Sequence, residues 1–425
     1  MEIGAVVGLA ILVVLVLMGA PMWVALGIGG AVSLMAGYGI DPTVLVSVMY
    51  NKIHSVTLIA IPLFILAGEA LARGGGSPTL MRFLNSMMGH IPGGPAYVVI
   101  IACVLFAAMA SGGQAFIAAF APMMLPMMVG MGYSKKFSLG LMITAASIGS
   151  LIPPSISLII YGFITETSVK DLYTAAFVPG LILAALLAIT VFIYTRRGHY
   201  IQPPPASWQE RRQALREAWP VGIMPLIVLL PIYAGICTPT EAAAIAVFYS
   251  LFLGFVVYRR LTLRGLWDAC VRTVHVTGLL MAIIMGAFML NMVLVYMRVP
   301  FTLGEMLAGA GFNWAALISI IIVVFLLMGT VLDPGAILII SPPILLPSLL
   351  MLGYSPVAFG IVTVIGLELA VITPPYGINL FTAAGVLGEK FDFVARSCLM
   401  FYPAMIAGLF LVALVPQISL FLPGL

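Results

Sequence analysis

Apolar residues come in runs of about helix-crossing length along almost the whole chain, and polar residues collect between them. Such runs cover 3–20, 21–38, 55–72, 136–165 and 173–195 in the first half. In the second half they cover 220–236, 239–258, 276–297, 356–386 and 393–421. Roughly 20 consecutive apolar residues make a helix that spans the hydrocarbon core of a bilayer. A membrane barrel would need short alternating segments instead, so the pattern predicts an all-α polytopic membrane protein.

Two longer apolar stretches, 95–130 and 314–351, are interrupted in the middle. The interruptions are Ala110-Ser111-Gly112-Gly113-Gln114 and Gly329-Thr330-Val331-Leu332-Asp333-Pro334-Gly335. Small, polar and proline-containing centres predict re-entrant helical hairpins. Non-helical backbone survives at membrane depth only where protein or a water-filled cavity satisfies it. Two crossings carry breaks of their own, at Pro153-Pro154 in 136–165 and at Pro374-Pro375 in 356–386. A proline removes one backbone donor and clashes with the preceding turn. Segments 42–54 and 262–275 are too polar to span and are predicted to lie as amphipathic helices at the interface.

The second half repeats the first in register. Pro122, Leu125, Pro126, Gly132, Tyr133, Ser134, Pro153 and Pro154 match Pro343, Leu346, Pro347, Gly353, Tyr354, Ser355, Pro374 and Pro375 at one offset (347 − 126 = 221, 374 − 153 = 221). With both hairpins returning to their own side, each half makes five crossings. An odd number turns the copies upside down relative to each other. Inverted-topology repeats with broken helices near the midplane recur in secondary transporters. The expected organisation is a first repeat over 1–195, a cytoplasmic linker over 196–219 and a second repeat over 220–425. Hairpins 95–130 and 314–351 and broken helices 136–165 and 356–386 are flanked by scaffold helices in 1–72, 173–195, 220–297 and 393–421.

Composition supports this picture. Across 425 residues 63% are hydrophobic and only 8% charged, with a mean hydropathy of +1.21. A soluble protein carries about 25% charged residues, so lipid must be the solvent for most of this chain. The net charge of +4 is spread in short clusters between crossings, which excludes a nucleic-acid patch and reads as a topology signal. With the N-terminus outside, only Lys52, Lys170 and Arg298 of the 18 basic residues fall on the outer side. The N-terminus lacks the basic region and cleavage site of a signal peptide and reads as the first membrane helix.

Candidate chemistry is sparse. Cys103, Cys237, Cys270 and Cys398 have no metal-ligand spacing, and His54, His90, His199 and His275 form no cluster. No cofactor is expected, and no HExxH, GxSxG or P-loop pattern is present. Acids within membrane segments are functional candidates by default. Asp333 at the second tip and Glu368 beside the second break stand out. Glu241 reads better as a helix cap and Glu69 as a residue reaching the interface. Freed carbonyls at a broken helix can hold a cation, and the N-terminus of the next half-helix favours an anion.

At these blocks the sequence resembles the large membrane subunit of tripartite ATP-independent periplasmic (TRAP) transporters. The resemblance rests on IPLFILAG at 61–68, SLIPPSISLIIYG at 150–162, CTPTEAAA at 237–244 and LELAVITPPYGINLF at 367–381, and covers essentially the whole chain. It implies a sodium-coupled importer of small organic acids in the bacterial inner membrane. In that family the two hairpins and two broken helices slide as an elevator against a scaffold. The implied partners are a small four-helix membrane subunit and a periplasmic substrate-binding protein. Matched residue by residue, the first sodium site is Ser111, Gly113, Gly149, Ile152 and Pro154. The second, by symmetry, is Gly329, Asp333, Thr373 and Pro375. Gly112, Gln114, Ser147, Ser155, Gly377 and Asn379 are expected to face substrate. The family's first tip often reads Ser-Gly-Ser-Ser, so Ser111-Gly112-Gly113-Gln114 lacks two hydroxyls, and Gly366 stands where an amide is expected.

Two other readings compete. One is a self-sufficient carboxylate transporter of related fold. The other is an intramembrane lipid-phosphate enzyme, which would need converging charged groups at the midplane.

Overall fold

The computed structural model describes residues 2–109, 112–196, 198, 200–309, 311–330 and 332–424, and its regular structure there is entirely helical. Among the described residues, eight helices are long and apolar enough to cross a membrane. The number is nine if Phe391–Cys398 and Tyr402–Leu414, which meet at 53°, form one bent span.

Helix starts follow local capping chemistry. Ser134 and Ser355 side chains accept from the backbone N–H groups of Phe137 and Ala358, and Asp41 and Thr262 accept from those of Thr43 and Gly265. These caps keep the register of the sequence repeat (355 − 134 = 221, 262 − 41 = 221). The hairpin arms Gly113–Gly130 and Pro334–Met351 keep it as well (334 − 113 = 221). The CTPTEAAA motif is a capping box: the Thr238 N–H donates to Glu241 at 2.8 Å while the Thr238 hydroxyl accepts from the Glu241 N–H.

Both helix pairs expected as hairpins are present as helices, and both broken helices are interrupted where expected. Gly94–Ala107 is followed by Gly113–Gly130, and Trp314–Met328 by Pro334–Met351. Lys135–Leu151 breaks before Ile156–Thr165, and Pro356–Ala370 before Ile378–Leu387. The Pro153-Pro154 and Pro374-Pro375 bonds are both cis. The broken helices lie at the centre of the molecule: every residue from Val357 to Ala370 is buried. Glycines allow this packing. A Cβ on Gly140 would sit 2.0 Å from the Ser397 carbonyl oxygen, and one on Gly360 would sit 2.6 Å from the Tyr161 ring.

Several boundaries differ from the sequence expectation. Residues 262–275 are not a separate interfacial helix; they begin a single 34-residue helix, Leu263–Tyr296. Polarity suggested a break, but the segment contains no proline and its hydrogen-bond ladder has no reason to stop. The linker expected over 196–219 ends inside Trp208–Gly222, which is followed after Ile223 by Met224–Tyr233. Gly76–Met88 and Val299–Gly309 are additional short helices. Arg82 ties the first of these to the linker helix, its Nη1 lying 2.6 Å from Glu217 Oε2. Pro42–Ile53 matches its expected amphipathic segment and buries only Leu45.

Candidate functional site

At the first tip, Gly112 has φ +138°, a conformation that favours glycine, and caps Gly113–Gly130 without a side-chain hydrogen bond. Gly113 lies directly against the first broken helix. A Cβ there would be 2.5 Å from the Ala146 carbonyl oxygen and 3.2 Å from Asn379 Nδ2. The Gly113 N–H donates to Ser150 Oγ at 3.2 Å. Gly149 faces the other arm of the same hairpin, where a Cβ would meet Cys103 Sγ at 3.0 Å. Ile152 closes Lys135–Leu151 in extended conformation, and it and Pro154 are buried. Ser155 caps Ile156–Thr165, accepting from the Leu158 N–H at 3.3 Å, while its carbonyl accepts from the Tyr173 hydroxyl at 3.4 Å. Ser111 lies outside the described residues.

The second tip is held by side chains. Asp333 caps Pro334–Met351, one carboxylate oxygen accepting from the Ala336 N–H at 3.2 Å and the other from the Tyr376 hydroxyl at 2.8 Å. The Tyr376 N–H donates to the Thr330 carbonyl at 3.3 Å, so two bonds join this tip to the second break. Gly329 packs on the end of Pro356–Ala370, where a Cβ would lie 2.2 Å from that of Ala370. The Thr373 hydroxyl donates to the Leu369 carbonyl at 2.7 Å, and Pro375 is exposed. Gly377, at φ +34°, caps Ile378–Leu387. Asn379 donates through Nδ2 to Ser147 Oγ at 3.1 Å, a buried bond between the two broken helices.

The breaks differ in backbone satisfaction. Among the described residues, no backbone N–H reaches the carbonyls of Gly149 to Pro154. Around the second break, N–H groups of Val371, Thr373 and Asn379 bond the carbonyls of Leu367, Ala370 and Val371. Buried carbonyls are rarely left without a partner, so the first break offers oxygen ligands that the second has mostly spent.

Both tips and both breaks meet on one cavity of about 460 Å³. Its wall includes Gly112, Gly113 and Gln114, then Ser150, Ile156 and Ser157, and also Asp333, Pro334, Gly335, Glu368, Ile378 and Asn379. Four helices therefore begin on it: Gly113–Gly130, Ile156–Thr165, Pro334–Met351 and Ile378–Leu387. Unsatisfied N–H groups and the helix dipole make each N-terminus favourable to an anion. Ser147, Gly149, Ile152, Pro154 and Ser155 are buried behind the wall, and Gly329, Thr373, Pro375 and Gly377 are not among its lining residues.

The remaining wall is one face of Leu263–Tyr296: Arg272, His275, Val276, Leu279, Leu280 and Ile283. Sequence reasoning counted Arg272 as a topology signal and set His275 aside as interfacial. The register held a clue, because His54 and His275 are themselves one offset apart (275 − 54 = 221).

A helical membrane protein in which the starts of four interrupted or paired helices share a cavity has the build of a membrane transporter. Its fold matches the solved YdaH transporter of Alcanivorax borkumensis over 99% of both chains, with a TM-score of 0.65 at 15% identity. Residues 9–418 match the family model for the tripartite ATP-independent periplasmic transporter, DctM component. The chain is 34% identical over 437 residues to the C4-dicarboxylate TRAP transporter large permease protein DctM of Rhodobacter capsulatus, covering 99% of each. It is 33% identical over 407 residues to the isethionate TRAP transporter permease protein DctMQ of Oleidesulfovibrio alaskensis, covering 96% of this chain and 64% of that one. The chain belongs to the DctM family: it is a TRAP large membrane subunit, a multi-pass inner-membrane protein and a transporter rather than an enzyme.

Proposed function

We propose that this subunit carries a small organic acid inward together with sodium. The observation that supports this most strongly is the meeting of four helix N-termini on one 460 Å³ cavity beside a run of unpaired carbonyls. The N-termini suit a carboxylate, and the carbonyls of Gly149–Pro154 suit a hard cation. The cation site nearest those oxygens is assigned to Ser111, Gly113, Gly149, Ile152 and Pro154. A second, at Gly329, Asp333, Thr373 and Pro375, has fewer free carbonyls. The two relatives described above are named for C4-dicarboxylate and isethionate, both anions, and the same substrate class is proposed here.

The moving part is taken to be the two hairpins with the two broken helices, as one elevator body. Gly113 on Ala146, Gly329 on Ala370, Tyr376 on Asp333 and Asn379 on Ser147 join these elements closely enough to travel together. A periplasmic binding protein delivers substrate, and a small four-helix subunit completes the scaffold. The test is uptake of succinate and isethionate into proteoliposomes containing both membrane subunits, with the binding protein added outside. Uptake should require an inward sodium gradient; equal uptake with choline in place of sodium contradicts the coupling. Uptake without the binding protein would favour a self-sufficient transporter.

A further inference from the structure

We propose that Arg272 is the anion-reading group of the cavity, holding a small carboxylate or sulfonate at the polar end of the Leu263–Tyr296 wall. The assignment rests on the importer reading for its biological meaning, though its geometry stands apart from the tips and breaks. Arg272 is the one lysine or arginine among the described lining residues. It is exposed and has no ion-pair or hydrogen-bond partner among the described residues. Its natural helical partner would be Asp268, one turn earlier. That carboxylate instead lies 3.9 Å from Arg73 Nη1, on another helix, and leaves the guanidinium free.

The face beyond Arg272 grades from charge to oil. His275 follows one turn on, its Nδ1 bonded to the Val271 carbonyl at 2.8 Å, and then Val276, Leu279 and Ile283. Neither acid lining the cavity forms an ion pair with Arg272. Both Asp333 oxygens accept from Ala336 and Tyr376, and Glu368 is buried. A planar guanidinium with five donors matches a carboxylate or sulfonate in two-point geometry. Arg272 falls on the inner side by the charge count, so an anion released from the four helix starts toward the cytoplasm would meet the guanidinium on its way out.

The experiment reads the field directly and needs no known substrate. Ser157→Cys, on the wall, is labelled with an anionic or a cationic methanethiosulfonate reagent in detergent-purified protein. Cys237 and Cys270 are replaced by serine, and the buried Cys103 and Cys398 are kept. A unit charge roughly 10 Å away in a partly aqueous cavity biases the two reagents in opposite directions, about tenfold in their rate ratio. Arg272→Gln should lower the anionic-to-cationic ratio by about that factor, Arg272→Glu should lower it further, and Arg272→Lys should keep it. Leu279→Cys, on the same Leu263–Tyr296 face as Arg272, serves as a second reporter in the same series. An unchanged ratio at both reporters, or no reaction at either, overturns the assignment and leaves Arg272 as a side chain reaching for lipid headgroups. Uptake is measured separately. An anion-biased cavity that imports no acid would keep the Arg272 assignment and remove the importer reading.

Discussion

Gly113→Ala perturbs the contact on which the first cation site depends. The added Cβ would stand 2.5 Å from the Ala146 carbonyl oxygen, whereas ordinary contact begins near 3.4 Å. Either the tip or the helix must retreat by about 0.9 Å, and the obstacle is backbone, which cannot rotate aside. That retreat stretches the Gly113–Ser150 hydrogen bond, now 3.2 Å, out of range. Overpacking of this kind costs about 1–3 kcal/mol. If sodium binding requires the closed contact, the cost appears as a roughly 5- to 150-fold weaker sodium affinity, since 1.4 kcal/mol is a factor of ten. The assay is the sodium concentration that gives half-maximal thermal stabilisation of the purified protein, which follows binding to the folded state. Gly130→Ala is the control, because a Cβ there meets nothing within 4 Å. It should leave sodium affinity unchanged. Wild-type affinity in Gly113→Ala would refute the placement of the ion at this contact.

Other outcomes follow from single contacts. Tyr376→Phe removes a donor to the Asp333 carboxylate and should destabilise the second tip by about 1.5–3 kcal/mol, read by denaturant unfolding. An unaltered midpoint would show that the bond contributes nothing. Asn379→Ala and Ser147→Ala should be non-additive in a double-mutant cycle on stability, by roughly 0.5–3 kcal/mol; additivity would mean the broken helices are not coupled through this pair. Cysteine at Gln209 should resist labelling from outside intact cells, and ready labelling would invert the topology. The Glu210 carboxyl is held below its usual range by the Ser207 backbone N–H and hydroxyl. Its capping contribution is present above the unfolded pKa and is lost as pH falls through the lower folded value. Amide exchange in Trp208–Gly222 should therefore lose protection only in acid, below about pH 4.5, after correction for intrinsic exchange; Glu210→Gln should remove that dependence.

What could be read from the sequence was whatever proline and glycine mark. Pro153-Pro154 and Pro374-Pro375 located the breaks because proline acts on the backbone wherever it stands. The tips were legible because a polar, glycine-containing stretch inside an apolar run has few alternatives at membrane depth. Helix continuity was less legible. In Leu263–Tyr296 the polar start suggested two elements, yet continuity depends on the hydrogen-bond ladder rather than on composition. Arg272 was missed for a related reason: a basic residue near a crossing fits the positive-inside rule equally well whether it faces lipid headgroups or a cavity. Roles shared between distant residues were out of reach. Nothing local to Asn379 indicates Ser147 as its partner, 232 residues away. Likewise nothing near Ser155 indicates that Tyr173 occupies its carbonyl.

The central claim is that one cavity, bounded by both tips and both breaks, holds the transported anion with sodium at its side. It is tested most directly by a cryo-electron-microscopy structure of the complete membrane complex in saturating sodium with a transported acid, compared with one in choline. The account predicts acid density among Gly113, Ser157, Ile378 and Asn379, and ion density within bonding distance of the Gly149 and Ile152 carbonyls in sodium only. Acid bound elsewhere, or the same density at those carbonyls in choline, would contradict it.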